Sequence, residues 1–234
     1  MVIEPNATEI QALFERIAPV YDRLNDQLSF GLHRIWKWMA LKWADPQPGE
    51  CWLDLCCGSG DLALALAECL QGQVQIYGVD FAAEQLNVAR TRAAQHAYAA
   101  CIAWQQGDAL NLDFPDQIFN GVLLGYGLRN VVDIPGCLRE LQRVTQPGGR
   151  VVILDFHQPE AFWLRSLQAW YLQNYVVPTA SQWNLTAEYD YLLPSLQRFP
   201  QGRQQVQLAL AAGFQDAIHY RIAGGMMGVL VTQA

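Results

Sequence analysis

A short glycine loop is the first feature of the sequence with a clear chemical use. Gly58, Gly60 and Ala63 satisfy the spacing G-x-G-x-x-G/A, which brings a backbone close to a ligand at the start of a helix. Asp54 ends the apolar run before this loop, and Asp61 follows it. Two carboxylates would repel the pyrophosphate of a dinucleotide, whereas S-adenosylmethionine lacks phosphate and has a positive ammonium and sulfonium. The glycines alone leave NAD open, and the aspartates favour S-adenosylmethionine, although Asp61 by itself would also suit a helix N-cap.

Two further aspartates follow predicted strands. Asp80 ends the second strand, where a carboxylate can accept hydrogen bonds from both hydroxyls of a ribose. Asp108 follows the third strand, where its carboxylate could accept from an adenine amino group. Each aspartate taken singly also suits a solvated turn. Because open parallel sheets bind ligands at the carboxyl ends of their strands, their occurrence at successive ends predicts one binding site.

Strand-like and helix-like segments alternate through the middle of the chain, which predicts right-handed parallel βαβ units. The predicted strands are residues 51–56, 74–80, 102–106, 121–126 and 150–156. Helices are predicted over 61–70, 82–95 and 131–144, and we expect Pro147-Gly148-Gly149 to end the last of them. Residues 219–222 and 228–232 are predicted to pair as two closing strands.

Helical periodicity also marks both flanks of this alternating region. Helices are predicted over residues 10–23 and 32–43, and a mostly helical, aromatic-rich insertion follows the fifth strand. The expected organisation is one domain, residues 1–234, with a helical cap at 1–45, a donor-binding core at 46–156, an acceptor-side insertion at 157–213 and the closing strands at 214–234.

Composition excludes several classes of protein. The net charge of −7 argues against nucleic acid as a partner and against binding to anionic lipid by charge alone. The six cysteines form neither a C-x-x-C motif nor a cluster with histidines at zinc-like spacing, so reduced thiols and no metal site are expected. Neither a signal peptide after Met1 nor an apolar run approaching about 20 residues is visible, so we expect a cytoplasmic protein.

Several longer segments resemble the UbiE/MenG family of quinone-biosynthesis C-methyltransferases. The likeness runs through Phe14–Asp22, Leu28–His33, Gly127–Val131 and Pro147–Arg150, and through Tyr189, Tyr191 and Phe199-Pro200. It implies a Rossmann-like class I methyltransferase fold: an open, twisted, mostly parallel seven-stranded sheet flanked by helices, with a helical cap. It also implies C-methylation of the ring of a prenylated naphthoquinol, either 2-phytyl-1,4-naphthoquinol or demethylmenaquinol.

The resemblance extends the expected donor site. It adds Ser59 in the glycine loop, Ala109 beside Asp108, and Gly125 at the end of the fourth strand. Tyr21 in the N-terminal helices would close over the donor, unless it merely packs an amphipathic helix. The donor site expected from loop and resemblance together comprises Asp54, Gly58, Ser59, Gly60, Asp80, Phe81, Asp108, Ala109, Gly125 and Tyr21.

The implied reaction also suggests acceptor-side residues. Arg129 would stabilise a phenolate, since a guanidinium cannot act as a base, or would form a salt bridge to a cap carboxylate. Tyr126 and Asn130 flank it and would orient the ring. His157 is a candidate proton acceptor, with an ordinary surface histidine as the alternative.

An aromatic run beginning at Phe162-Trp163 has helical spacing, which suits core packing, shelter for an isoprenoid tail, or contact with a bilayer. Peripheral membrane contact is therefore an open expectation, and a homodimer is another. Three other functions remain open as well: C-methylation of a polyprenyl benzoquinol, an NAD(P)-dependent oxidoreductase, and a donor-binding module without catalysis.

Overall fold

The structure is a computed structural model that describes residues 6–183, 185–186, 189 and 191–234. The expectation about a signal peptide falls partly on residues 1–5, which lie outside the described residues. The strands of the described chain are β1 (Cys51–Leu55), β2 (Gln75–Asp80), β3 (Ile102–Gln106), β4 (Phe119–Gly125), β5 (Thr145–Phe156), β6 (Asp216–Ile222) and β7 (Met227–Gln233). They form a seven-stranded sheet in the order β3-β2-β1-β4-β5-β7-β6. Strands β1 to β5 pair in parallel and β7 runs antiparallel to both neighbours, which confirms the predicted fold class.

Apolar side chains on the central strands point alternately to the two faces of the sheet, which explains why helices cover both faces. Val151 and Ile153 pack into one core cluster, whereas Val152 and Leu154 pack into another on the opposite face. Successive strand residues point to opposite faces, so a continuous apolar run is buried on both sides. The flanking helices are α4 (Asp61–Cys69), α5 (Ala83–Ala93) and α6 (Ile134–Val144). The strand order reverses between β1 and β4, where open sheets have their ligand crevice.

The boundaries around β5 correct two predictions. The helix predicted over 131–144 begins only at Ile134, because the Asp133 side chain caps it by accepting from the Gly136 N–H. Pro147-Gly148-Gly149 does not end that helix. The helix ends at Val144, since Thr145 is already extended, and the three residues lie within β5.

The N-terminal helix is shorter than its periodicity suggests. Residues 10–23 were predicted as one helix, but α1 (Ala7–Ile17) and α2 (Tyr21–Ser29) are separated by a 3₁₀ turn that contains Pro19. Proline lacks the N–H that an α-helix interior needs, so the break falls there. Helix α3 (Leu32–Ala44) follows as predicted, after Gly31 turns the chain with a φ of +74°.

The insertion after β5 is helical as predicted and packs against the N-terminal helices. It contains α7 (Phe162–Tyr171), a π-helical turn (Leu172–Val176), α8 (Val177–Ser181), α9 (Leu192–Arg198) and α10 (Gly202–Ala211). Leu24 of α2 shares a buried cluster with Val176 and Ala180, and the Tyr171 hydroxyl donates to the Leu28 carbonyl at 2.7 Å. Within the described residues, no helix has the length and apolar character needed to cross a bilayer.

Candidate functional site

A cavity of about 490 Å³ opens at the carboxyl ends of β1, β2 and β4. We call it the first cavity. Its lining includes seven of the ten residues predicted to contact a donor, namely Gly58, Asp80, Phe81, Asp108, Ala109, Gly125 and Tyr21. The charged side chains among its described lining residues are Asp80 and Asp108, and none of those residues is Lys or Arg. Such a cavity attracts a cation and offers no positive side chain to a pyrophosphate.

Asp80 organises the floor of the first cavity. Its carboxylate accepts from the Gly58 N–H at 2.8 Å and from the Ala82 N–H at 2.9 Å. The side chain therefore holds the glycine loop to the start of α5. Burial raises the pKa of Asp80 to about 6, although the backbone donors oppose that rise. Asp108 accepts from the Leu110 N–H at 2.9 Å, which fixes the turn after β3.

Asp54 does not reach the first cavity. It is buried beneath the loop, where one carboxylate oxygen accepts from the Ala63 N–H at 2.9 Å. The other oxygen has no hydrogen-bond partner among the described residues. Burial raises the pKa of Asp54 to about 7. Its position is that of a support for the start of α4, rather than a ligand contact.

Ser59 and Asp61 belong to an ionic cluster on the outer side of the loop. The Ser59 hydroxyl donates to Asp22 of α2, and Arg92 donates to the same hydroxyl oxygen at 2.9 Å. Arg92 also pairs with Asp61 at 2.6 Å, and Lys37 of α3 pairs with Asp61 at the same distance. These two cations hold the pKa of Asp61 well below its usual range. Ser59 therefore connects the loop to α2 and α5 instead of lining the cavity.

These positions correct the electrostatic reasoning from the sequence. Asp54 and Asp61 were expected to repel a pyrophosphate, but the first is buried out of reach and the second is neutralised by two cations. The negative charge in the cavity comes from Asp80 and Asp108 instead. Gly60 is also absent from the described lining; a Cβ there would lie 2.5 Å from the Trp104 ring, so its small size serves packing.

Helix α1 covers the first cavity through contacts that the sequence patterns did not predict. The Gln11 side chain donates to the Phe81 carbonyl at 2.8 Å. The Glu15 carboxylate accepts from the Ala83 and Glu84 N–H groups at 2.8 and 2.9 Å, which caps α5 from another part of the chain. About 70 residues separate these partners, so local periodicity carries no signal for them.

A second cavity, of about 430 Å³, adjoins the first. Its lining is mostly aromatic and aliphatic and comes from α1 to α3, from the insertion and from the start of β7. Four residues line both cavities: Phe14, Tyr21, Tyr126 and Asn130. A cavity whose charged lining side chains are acidic and a second, mostly apolar cavity therefore meet at these side chains, an arrangement that would allow transfer between two different molecules.

Arg129 lies in the wall of the second cavity and is held in place by β5. Its guanidinium donates to Asp155 at 2.7 Å and to the Tyr126 carbonyl at 2.8 Å. The predicted salt bridge thus exists, and its partner Asp155 of β5 also accepts from the Arg129 backbone N–H in the 3₁₀ turn Leu128–Asn130. The Nε–H of Arg129 is buried and finds no acceptor in the described part of the chain. The ring of Phe156 lies 5.4 Å from the guanidinium carbon.

Tyr126 lies at the junction, the place where the two cavities meet, and its hydroxyl group makes no hydrogen bond among the described residues. Its backbone has a φ of +63°, which turns the chain sharply out of β4. The hydroxyl is buried and has no partner among the residues described. Burial raises the pKa of Tyr126 well above its usual value and that of Tyr21 to about 12, so both hydroxyls stay protonated. Asn130 donates to the Tyr126 carbonyl at 3.2 Å and steadies this turn.

His157 lies elsewhere. It is 5% exposed, so the surface alternative is wrong, and it belongs to the described lining of neither cavity. One ring nitrogen lies 3.2 Å from the Asp155 carbonyl oxygen. The other lies 2.7 Å from the Gln205 amide nitrogen and 3.0 Å from the His219 ring. The structure therefore does not bring His157 to the junction.

No group of three or more His, Cys, Asp or Glu side chains in the described ranges has the arrangement of a metal site.

The sheet order, with a ligand cavity at its reversal point, defines a Rossmann-like methyltransferase fold. A SAM-dependent methyltransferase from Thermotoga maritima superposes with a TM-score of 0.66 at 18% identity, covering 95% of this chain and 98% of that one. Haemonchus contortus phosphoethanolamine N-methyltransferase 2, solved with S-adenosyl-L-methionine, superposes with a TM-score of 0.64 at 16% identity. The match covers 84% of this chain and 51% of that one.

The chain belongs to the ubiE/COQ5 methyltransferase family, whose sequence model matches residues 2–233. It is 57% identical to the 2-phytyl-1,4-naphtoquinone methyltransferase of Synechococcus elongatus, over 100% of this chain and 99% of that protein. The Synechocystis protein of the same name is 52% identical, over 100% of this chain and 98% of that protein. The chloroplastic 2-phytyl-1,4-beta-naphthoquinone methyltransferase of Arabidopsis thaliana is 48% identical, over 96% of this chain and 87% of that protein.

Proposed function

We propose that this protein transfers a methyl group from S-adenosylmethionine to a ring carbon of 2-phytyl-1,4-naphthoquinol. The observation that carries the proposal is the junction at Phe14, Tyr21, Tyr126 and Asn130, where an acidic cavity without Lys or Arg in its described lining meets an apolar one. The names of relatives at 48 to 57% identity support the choice of acceptor.

The first cavity fits the donor. Asp80 would accept from the ribose hydroxyls, and Asp108 from the adenine amino group. The absence of Lys and Arg among the described lining residues suits a ligand with positive charges and no phosphate. When bound, S-adenosylmethionine supplies an activated methyl group, so the chain's own task is to align the two molecules and exclude water.

The second cavity fits the acceptor. Tyr126 and Arg129 present buried, unpaired donors in the region where a quinol ring would meet the donor molecule. Hydrogen bonds from these groups to a quinol oxygen would favour the phenolate, which makes the ring carbon more nucleophilic. The ion pair with Asp155 keeps Arg129 in position but leaves its Nε–H free to donate. The aliphatic and aromatic lining beyond the ring is suited to a phytyl tail.

The test is a methyl-transfer assay with the purified protein, labelled S-adenosylmethionine and chemically reduced acceptors. We expect label in the ring of 2-phytyl-1,4-naphthoquinol and at least about tenfold slower transfer to a benzoquinol with the same tail, because one ring would be lost from the apolar contact. Preferential transfer to the benzoquinol would overturn the acceptor assignment. Calorimetry with NADH is the matched donor control, and tighter binding of NADH than of S-adenosylmethionine would overturn the donor assignment.

A further inference from the structure

Large apolar side chains are exposed together around the mouth of the second cavity. Phe162, Trp163 and Trp170 of α7 are 80, 67 and 59% exposed, and Phe30 beside α3 is 71% exposed. We call Phe30, Leu32, Phe162, Trp163, Leu167 and Trp170 the apolar rim. A cluster of exposed aromatic residues is unusual on a protein surface, and such patches mark contacts with proteins or membranes.

The apolar rim is continuous with the acceptor cavity. Phe30, Leu32 and Leu167 are between 44 and 71% exposed, yet each also lines the second cavity. Trp163 and Trp170 lie four residues before and three residues after Leu167, so all three share one face of α7. A molecule that leaves the second cavity past Leu167 thus meets apolar surface before it meets water.

The helical segments that carry most of the apolar rim contain Lys and Arg but no acidic residue. Helix α3 and residues 162–181 together contain four Lys or Arg and no Asp or Glu, whereas the whole chain has 22 acidic residues against 15 basic ones. Lys42 lies over the Trp38 ring at 5.0 Å, and the Arg165 side chain donates to the carbonyls of Pro159 and Glu160. Arg34 pairs with Asp26 of α2, Lys37 with Asp61, and Glu160 with Arg221. Lys42 and Arg165 are therefore the positive side chains of these segments that have no carboxylate partner among the described residues.

We propose that the apolar rim docks on an anionic lipid bilayer, so that the second cavity opens directly into the hydrocarbon region. This inference rests on the proposed function, because it takes the acceptor to be a lipid-tailed quinol. Aromatic side chains prefer the interface between headgroups and hydrocarbon, and nearby Lys and Arg add attraction to anionic lipid. A second copy of the chain is a poorer occupant, since two such faces would bring like charges together.

The first test is co-sedimentation of the full chain with phosphatidylcholine vesicles prepared with and without phosphatidylglycerol. We expect binding that depends on the anionic lipid and weakens about 10- to 100-fold in a Trp163→Ser/Trp170→Ser double variant. The matched control is Leu210→Ser/Ile218→Ser, which removes two exposed apolar side chains of α10 and β6 and should bind vesicles normally. Absent binding, or equal loss in both double variants, would overturn the proposal.

A second measurement separates this inference from the proposed function. Methyl transfer to a short-tailed, water-soluble naphthoquinol should be unchanged in the Trp163→Ser/Trp170→Ser variant, whereas transfer to the phytyl acceptor in vesicles should fall about as much as vesicle binding. If no acceptor is methylated while vesicle binding still depends on the rim, the proposed function fails and the docking surface stands. If the rim variant instead abolishes a dimer seen by light scattering, a second copy covers the surface and the docking proposal is wrong.

Discussion

The two cavities are built in different ways. Much of the first is formed where successive strands of one sheet end. Of its charged lining residues, Asp80 is the last residue of β2 and Asp108 lies two residues after β3. The second draws its walls from segments far apart in the chain, including α1, α7 and the start of β7. The first is acidic, and the second is mostly apolar.

This difference separates two roles within one molecule. On the proposed assignment, donor binding is a property of the sheet edge, where open parallel sheets have their ligand crevice. On the same assignment, acceptor binding is a property of the flanking helices, which can vary without disturbing the sheet. Tyr126 and Asn130 belong to both, because the turn after β4 leaves the sheet at the junction of the cavities.

The largest expected effect lies beneath the first cavity, at Asp54. Burial raises its pKa to about 7, whereas the unfolded value is 3.8, so the folded state binds more protons between these values. Stability therefore falls as the pH rises from about 4 to 7. An Asp54→Asn variant keeps an oxygen for the Ala63 N–H and removes the buried charge. It should gain about 3 to 4 kcal/mol of unfolding free energy relative to wild type across that range.

Urea unfolding from pH 4 to 8 measures this difference. The matched control is Asp113→Asn, which neutralises an exposed carboxylate in the turn region after β3 and should leave the pH dependence as in wild type. If the unfolding free energies of Asp54→Asn and wild type changed with pH in parallel, burial would not raise the pKa of Asp54. Asp80, whose pKa is about 6, contributes in the same direction and is present in both proteins.

The next effect isolates donor binding. Asp80→Asn leaves one acceptor oxygen for the two N–H groups of Gly58 and Ala82, and removes the charge proposed to bind the ribose. We expect affinity for S-adenosylmethionine to fall about 10- to 100-fold, the range for hydrogen bonds to a charged group. In the wild type, affinity should also fall as the pH drops below about 6 and the carboxylate is protonated.

Titration calorimetry at pH 7 and pH 5 gives both quantities. Asp113→Asn again serves as the charge-matched control and should bind the donor as wild type does. Unchanged affinity in Asp80→Asn, or the same pH dependence as in the wild type, would place the ribose elsewhere in the cavity.

The fold was predictable because its signals are local. Buried runs such as Val151–Leu154 identify parallel strands, and the glycine loop places the ligand edge. Predicted helix boundaries were wrong where a side chain decides them. Asp133, for example, caps α6, so the helix begins at Ile134 instead of at residue 131. The prediction was wrong again at Pro147-Gly148-Gly149, which form an irregularity inside β5, between the pairing of Thr145 with Phe119 and that of Arg150 with Gly121, instead of ending a helix.

The site was predictable in its composition and not in its geometry. Residues at or just past the ends of strands, such as Asp80 and Asp108, line the first cavity as expected. Ser59 turned away from the cavity because Asp22 and Arg92 hold its hydroxyl, and these partners lie more than 30 residues away on either side. His157 directly follows β5, but its ring packs against Gln205 and His219. Such pairings depend on tertiary contacts that no periodicity encodes.

The smallest effect tests the junction itself, where the two cavities meet. Tyr126→Phe removes a hydroxyl that is buried, protonated and without a partner among the described residues. If that hydroxyl donates to a quinol oxygen as the phenolate forms, kcat should fall about tenfold while the donor Kd stays constant. A purely structural hydroxyl would behave differently, since removing an unsatisfied buried group leaves turnover unchanged and raises stability. Single-turnover methyl transfer with parallel thermal unfolding separates these outcomes, with Tyr220→Phe on the exposed face of β6 as the control that should change neither.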